Sequence, residues 1–162
     1  MKRTATIAAL VVALAAPAAW AIINPNFTPK HLVEASDWIV AGKVGKIGKD
    51  GLTIKIADAK AVKGTAPDGL TIDLSKLAPR EKFNLKGMKE GFAGGKGQPV
   101  MVFSGQMQGG KKVYIHFDGK WLDAADAGKG FLNVNAYDAN MGATYAGGTD
   151  TLVRMSKYLM ED

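Results

Sequence analysis

The chain of 162 residues contains no cysteine and only two histidines, His31 and His116. Disulfides, thiolate metal sites and cysteine nucleophiles are therefore excluded, and stability must come from packing and hydrogen bonds. A Walker-type phosphate loop and the G-x-S-x-G turn of serine hydrolases are also absent from the sequence. Because the usual marks of an enzyme are missing, we predict a non-enzymatic protein without a cofactor and, apart from a calcium alternative at residues 133–142, without a metal site.

Long apolar runs are lacking beyond the first 21 residues, "MKRTATIAALVVALAAPAAWA". This segment has a positive start at Lys2 and Arg3, an apolar run over 7–16, and small residues at 19 and 21. Those three parts in that order are the anatomy of a secretory signal peptide. The apolar run is about half the ~20 residues that a membrane-spanning helix needs. We predict cleavage after residue 21, export to the periplasm or the medium, and no membrane span afterwards; an uncleaved N-terminal anchor is the alternative.

Arginine is scarce, since 17 of the 19 basic residues after the predicted signal peptide are lysine. The formal charge of +6 falls to +4 without the two basic residues of the signal peptide. Residues 22–117 carry 15 basic and 8 acidic side chains, whereas residues 118–162 carry 4 and 7. The basic part of the chain, residues 22–117, could attract anions, or it could pair with the acidic residues of 118–162. Lysine lacks the bidentate fork of arginine, so the pattern indicates a solvated surface more than a specific phosphate site.

Alternation of apolar and polar residues dominates the middle of the chain. Apolar residues occupy every second position over 38–44, 52–56, 70–74 and 113–117, which predicts β-strands. The alternation reverses its phase at 56–58, and a reversal of that kind predicts a β-bulge or a sharp bend. Small closed barrels use such bends to let one strand serve two sides. We therefore predict a mainly β protein with a small OB-like antiparallel β-barrel.

Helices are predicted only near the two ends of the mature chain. Thr28 followed by proline starts a short N-terminal helix, and 149–160 forms a C-terminal helix with an apolar stripe. The glycine-rich segment 76–97 predicts a long lysine-rich loop with one helical turn near 81–85, and a loop of that length is either mobile or functional. The resulting domain prediction is a barrel at 22–124 and a loop-rich tail at 125–162.

Three motifs, "EASDWIVAGKV", "AVKGTAPDGLTI" and "GQPVMVFSG", follow one another within residues 27–117. Their succession resembles an exported bacterial domain of unknown function with an OB-like barrel. In outline it also resembles the N-terminal barrel of the tissue inhibitors of metalloproteinases. Those inhibitors depend on an N-terminal cysteine clamped by disulfides, which this chain lacks, so the resemblance transfers no inhibitory chemistry and no site residues.

The segment "GQMQGGKKVYIHFDGKW" at 105–121 contains the candidate chemistry of the barrel. Apolar residues at 113, 115 and 117 form one face of its strand, so Lys112, Tyr114 and His116 share the other face. We interpret that second face as solvated, because an antiparallel strand shows polar residues to water by default. Lys43 and Lys55 complete our set of candidate binding residues.

Oxygen donors cluster in "NVNAYDANMG", residues 133–142, where Asn133, Asn135, Asp138 and Asn140 precede a glycine. Calcium favours such ligands, but an EF-hand loop needs more carboxylates and a closing glutamate. Asparagine and aspartate also form turns for purely structural reasons. The sequence leaves a calcium site and a simple turn as alternatives.

The functional prediction is an exported, non-catalytic binding or scaffold module of the bacterial cell envelope. Its lysines would meet an anionic envelope polymer or another exported protein. Nucleic acid is not expected, because stacking on bases requires aromatic residues among the lysines and only Tyr114 is so placed. The alternative is an envelope enzyme that uses His116 together with acidic residues of the tail.

Overall fold

The computed structural model describes residues 27–107 and 109–161, so the predicted signal peptide at 1–21 lies outside the described residues. The elements in chain order are α1 Pro29–Ala35, β1 Ser36–Ile47, β2 Thr53–Lys63, β3 Thr71–Asp73, a 3₁₀ helix Pro79–Asn84, α2 Leu85–Gly94, β4 Pro99–Met107, β5 Gly110–Phe117, β6 Lys120–Asp126, β7 Phe131–Tyr137, α3 Met141–Thr144 and α4 Thr149–Glu161. None of the helices in the described part is both long and apolar enough to cross a membrane.

Seven strands form a closed barrel in the order β1-β2-β3-β7-β6-β5-β4. Neighbouring strands are antiparallel except β3 and β7, which are parallel. The strands β1, β3, β5 and β7 therefore finish at the same end of the barrel. The prediction of a mainly β barrel with a short N-terminal helix and a C-terminal helix is confirmed.

Strand β7 corrects the predicted division of the chain at residue 124. That boundary falls inside β6, and residues 131–137, which we assigned to a loop-rich tail, pair with both β3 and β6 to close the barrel. Leu132 and Val134 alternate with asparagines there and are fully buried. The asparagines gave the segment the composition of a turn, and this composition hid its period of two.

The predicted bulge at 56–58 is confirmed. Ala41 of β1 pairs with Lys60 and Lys43 pairs with Ala57, so three residues of β2 span the same length as two residues of β1. Asp58 lies in this extra length with a φ of +51°, in the left-handed region. A β-bulge with one residue in that region bends its strand and reverses the side-chain faces. This bend explains why the alternation of apolar and polar residues reverses at 56–58.

The predicted long loop at 76–97 is wrong in its greater part, because it contains the 3₁₀ helix and α2. The single helical turn expected near 81–85 overlaps the 3₁₀ helix. Helix α2 packs Met88 and Phe92 into the barrel interior, where the ring of Phe92 stacks on Phe117 at 4.6 Å. Three glycines lower the helix propensity of α2, and this tertiary packing outweighs their effect. Because α2 covers the end where β5 finishes, we call this the α2 end of the barrel.

The apolar residues form two separate clusters. One fills the interior of the barrel and includes residues from all seven strands and α2. The other lies outside the barrel wall, where Met101, Phe103 and Trp121 meet Leu32 of α1 and Leu152 of α4. We call this second cluster the external layer. It packs the C-terminal helix against the barrel.

Candidate functional site

The solvated face predicted for β5 is wrong. Lys112, Tyr114 and His116 do project from the outer side of β5, opposite the interior residues. However, His116 has no exposed surface and Tyr114 only 9%, because the external layer covers them. Alternation in a sequence identifies two faces of a strand, but it does not say whether water or a helix covers the polar one.

His116 is held between the barrel wall and α4. Its Nδ1 lies 2.9 Å from the hydroxyl oxygen of Thr149, the first residue of α4. The ring of Trp121 packs edge-on at 4.6 Å between centroids, and the ring of Tyr145 lies at 5.6 Å. Nε2 is buried and has no hydrogen-bond partner among the described residues. Burial lowers the pKa of His116 from 6.5 to about 4, so the imidazole is neutral at neutral pH.

These contacts give His116 a structural role, which is to fasten the start of α4 to β5. Its hydrogen bond within the described residues goes to a hydroxyl group and not to a carboxylate. Within residues 27–107 and 109–161, no three His, Asp or Glu side chains gather closely enough to hold a metal ion. The alternative of an enzyme using His116 with acidic residues of the tail stays a prediction, and no contact of His116 favours it.

Tyr114 and Lys112 also serve the external layer. The ring of Tyr114 lies edge-on to Phe27 at 6.3 Å and to Trp121 at 6.4 Å. Burial, with smaller contributions from two nearby carboxylates, raises the pKa of Tyr114 to about 12. The Lys112 ammonium lies 3.6 Å from a carboxylate oxygen of Asp123 at the rim of the layer. Both side chains are thus occupied by intramolecular contacts.

The five predicted binding residues do not form one site. Lys43 is exposed beside Asp58 at 3.4 Å and lies opposite Pro99 at the start of β4, whereas Lys112 lies opposite Gly105. Those two positions on β4 are six residues apart, which corresponds to roughly 20 Å along a strand. Lys55 is exposed on β2. The predicted set of Lys43, Lys55, Lys112, Tyr114 and His116 therefore mixes exposed cations with buried rings.

Residues 133–142 are divided between a strand and the turn after it. Asn133 and Asn135 belong to β7, and the Asn135 amide lies 3.4 Å from the carboxylate of Asp123. Asp138 accepts hydrogen bonds from the backbone N–H groups of Asn140 and of the next residue, at 3.0 and 3.2 Å. These are the contacts of an aspartate that forms a turn before a helix. They match the turn interpretation of this segment.

Two open grooves flank α4. One, of about 580 Å³, lies between α4 and the outer side of the β1–β2 hairpin, and its lining includes Asp58 and Asp150 as well as lysines. The other, of about 570 Å³, lies between the start of α4 and the end of α2, with Glu90 and Asp118 among its lining residues. Because both rims carry carboxylates, neither groove is a cationic pocket by itself.

Sequence reasoning missed the surface at the α2 end of the barrel. The 3₁₀ helix buries none of its residues, and Phe83 in it exposes 79% of its surface. Arg80 and Lys82 precede this phenylalanine in the same 3₁₀ helix and are exposed as well. Lysine enrichment of 76–97 was the available signal, but a predicted loop has no regular period that would place these residues on one side.

No family model, no curated protein and no solved structure matches this chain. The resemblance to an exported OB-like domain therefore stays a prediction.

Proposed function

We propose that this chain is an exported, non-catalytic binding module that attaches to an anionic, repeating component of the cell envelope, such as an anionic polymer. The supporting observation is the charge of one continuous part of the fold. Residues 43–96 contain 12 basic and 6 acidic side chains, whereas residues 27–42 and 97–161 together contain 7 and 8. The basic part comprises most of the β1–β2 hairpin, β3, the 3₁₀ helix and α2.

Basic residues of the β1–β2 turn and of α2 meet at the α2 end of the barrel. The side chain of Lys89 in α2 lies against Gly51 in the β1–β2 turn, so close that a methyl group on Gly51 would meet the Lys89 Cε atom at 2.6 Å. Lys49 stands in the same turn and Lys86 one helical turn before Lys89 along α2. Within the described residues, only Lys43 and Lys86 of the 12 basic side chains form ion pairs, and both pairs are exposed. The Lys63 ammonium donates to the backbone carbonyls of Val33 and Glu34, and the other nine basic side chains are available to an external anion.

The chemistry of these cations favours a ligand with repeating charges. Lysine ammonium groups are hydrated point charges and do not grip a single phosphate as an arginine fork does. Many separated point charges together raise the rate of association with an anionic surface. The attraction between exposed charges weakens as salt shortens the screening length. An acidic face of another exported protein is the second partner class that these properties allow.

The test is a binding titration with polyphosphate as a soluble polyanion at low and high salt. We expect binding at low salt that weakens as salt is added. The triple variant Lys49→Glu, Lys82→Glu and Lys86→Glu should bind at least about tenfold more weakly. A matched control reverses Lys30, Lys111 and Lys129, which lie near the opposite end of the barrel, and should lose much less.

Two results would count against this function. Absence of polyphosphate binding by the unaltered chain at low salt would remove the polyanion ligand. An equal loss in both triple variants would show that net charge alone, and not the α2 end, governs the attraction.

A further inference from the structure

Phe83 is an apolar side chain that the fold does not use. It exposes 79% of its surface, more than any other large apolar residue in the described part of the chain. Burying a phenylalanine side chain is favourable, so leaving it in water forgoes a sizeable stabilisation. The 3₁₀ helix that carries it buries none of its residues. Phe83 is therefore free to contact something outside the chain.

The geometry of the 3₁₀ helix sets a cation beside Phe83 and directs the nearest acid elsewhere. Side chains three residues apart align in a 3₁₀ helix, so Arg80 and Phe83 project from the same side. By the same rule Glu81 and Asn84 share a different side, and there the Asn84 amide donates a hydrogen bond of 2.8 Å to the Glu81 carboxylate. The side of the 3₁₀ helix that presents Phe83 thus carries the cation Arg80, whereas the acidic residue Glu81 projects from a different side.

Two further cations lie close along the chain. Lys82 is exposed next to Phe83. The Lys86 side chain is 87% exposed, and its ion pair with Glu90 is long, at 3.8 Å, and solvated. An exposed pair of this kind contributes little and does not hold Lys86 away from another anion. Phe83 therefore stands among three exposed cations.

We propose that the α2 end docks on an anionic lipid bilayer, with Phe83 entering the headgroup boundary and Arg80, Lys82 and Lys86 facing lipid phosphates. The inference rests on the proposed function and names its anionic component as a lipid surface. An aromatic residue flanked by cations suits that boundary, because the ring gains an apolar phase while the cations stay among anionic headgroups. A dissolved polyanion offers the cations the same charge but offers Phe83 no apolar phase.

The experiment compares sedimentation of the full chain with phosphatidylcholine vesicles and with vesicles that also contain phosphatidylglycerol. We expect stronger binding to the anionic vesicles and about a tenfold loss for Phe83→Ala. The matched control is Phe131→Ala, because Phe131 is also exposed, at 44%, but begins β7 at the opposite end of the barrel. The control should bind as the unaltered chain does. Residues 1–26 are common to all variants, so the differences report on the substituted positions.

A second measurement observes the insertion directly. In Phe83→Trp the new indole should be quenched by lipids brominated along their acyl chains, and binding should be retained. Quenching no greater than in the unaltered chain would overturn the insertion of this side chain, as would equal vesicle binding by Phe83→Ala and the unaltered chain.

Polyphosphate separates the two levels of the proposal. Polyphosphate binding without any preference for anionic vesicles would support the proposed function but overturn the proposal that the α2 end docks on a lipid bilayer. This result is expected if the ligand is a soluble polymer or an acidic protein. Failure to bind either probe would overturn both.

Discussion

The barrel interior and the external layer share one wall but differ in chemistry. Along β5, Ile115 points into the barrel and His116 points outward, and both have no exposed surface. The interior on this strand is filled by Val113, Ile115 and Phe117. The external layer instead contains Tyr114 and an imidazole. Equal burial on the two sides of one strand shows that the polar face of a barrel strand can become a second core when helices cover it.

Directional bonds distinguish the external layer from the interior. The Trp121 indole donates to the carbonyl of Tyr145 at 2.7 Å, and His116 bonds Thr149 at the start of α4. Ser36 donates to the carbonyl of Leu32 at the junction of α1 and β1. Each of these bonds pairs a buried polar group, and together they fix where the helices dock. The interior cluster consists of apolar side chains, so shape complementarity is its main constraint.

The largest expected effect tests whether the two layers unfold together. Leu132 in the interior and Leu152 in the external layer are the same residue type, and both are fully buried. Truncating a buried leucine to alanine typically costs about 3–5 kcal/mol. We expect Leu132→Ala and Leu152→Ala each to lower the free energy of unfolding in urea by about 3 kcal/mol, within one cooperative transition.

A different result would separate the layers. If Leu152→Ala produced an early transition that leaves the β-sheet circular dichroism signal intact, α4 and the external layer would be an independent unit. The Leu132→Ala variant is the control, since damage inside the barrel should lower the main transition in either case.

The second effect is pH-dependent and belongs to the external layer alone. The unfolded chain protonates His116 below pH 6.5, whereas the folded chain does so only below about pH 4. Between these values the unfolded state binds the additional proton, so the free energy of unfolding falls as pH falls. The contribution is fully present above pH 6.5, and its complete loss near pH 4 corresponds to roughly 3 kcal/mol.

Urea unfolding at several pH values measures this contribution. The unaltered chain should lose about 3 kcal/mol more than His116→Gln between pH 7 and pH 4. His31→Gln is the matched control for the loss of an imidazole, because His31 is exposed on α1. Parallel profiles for the unaltered chain and His116→Gln would show that His116 is not buried as a neutral ring.

The smallest effect lies at the rim of the external layer. Lys112→Ala removes a partly exposed ion pair with Asp123 and should lower the free energy of unfolding by about 1 kcal/mol or less. High salt should shrink the difference because it screens the pair. Lys111→Ala, at a neighbouring exposed lysine outside the ion pairs of the described residues, is the control. If Lys112→Ala lowered the free energy of unfolding as much as Leu152→Ala does, the ion pair at the rim, and not apolar packing, would be the main stabilisation of the external layer.

Individual residues show which kinds of sequence signal were sufficient. The reversal of alternation near Asp58 predicted the bulge, because a change of phase in a strand has few structural causes. The asparagines of β7 and the glycines of α2 led to wrong predictions, since both elements form through contacts with distant strands that outweigh local propensity. The lysines were recognised, but their gathering around Phe83 depends on a helix that the sequence pattern did not reveal.

The sequence by itself determined the barrel class, the absence of cysteine chemistry and the excess of lysine, since period, composition and charge are local properties. The tertiary structure alone decided that His116 is buried and that Lys43 and Lys112 are far apart. It also decided that a 3₁₀ helix presents Phe83 to its surroundings. The physical reason is that burial and proximity depend on which elements pack together, and that packing is set by contacts between residues far apart in the chain.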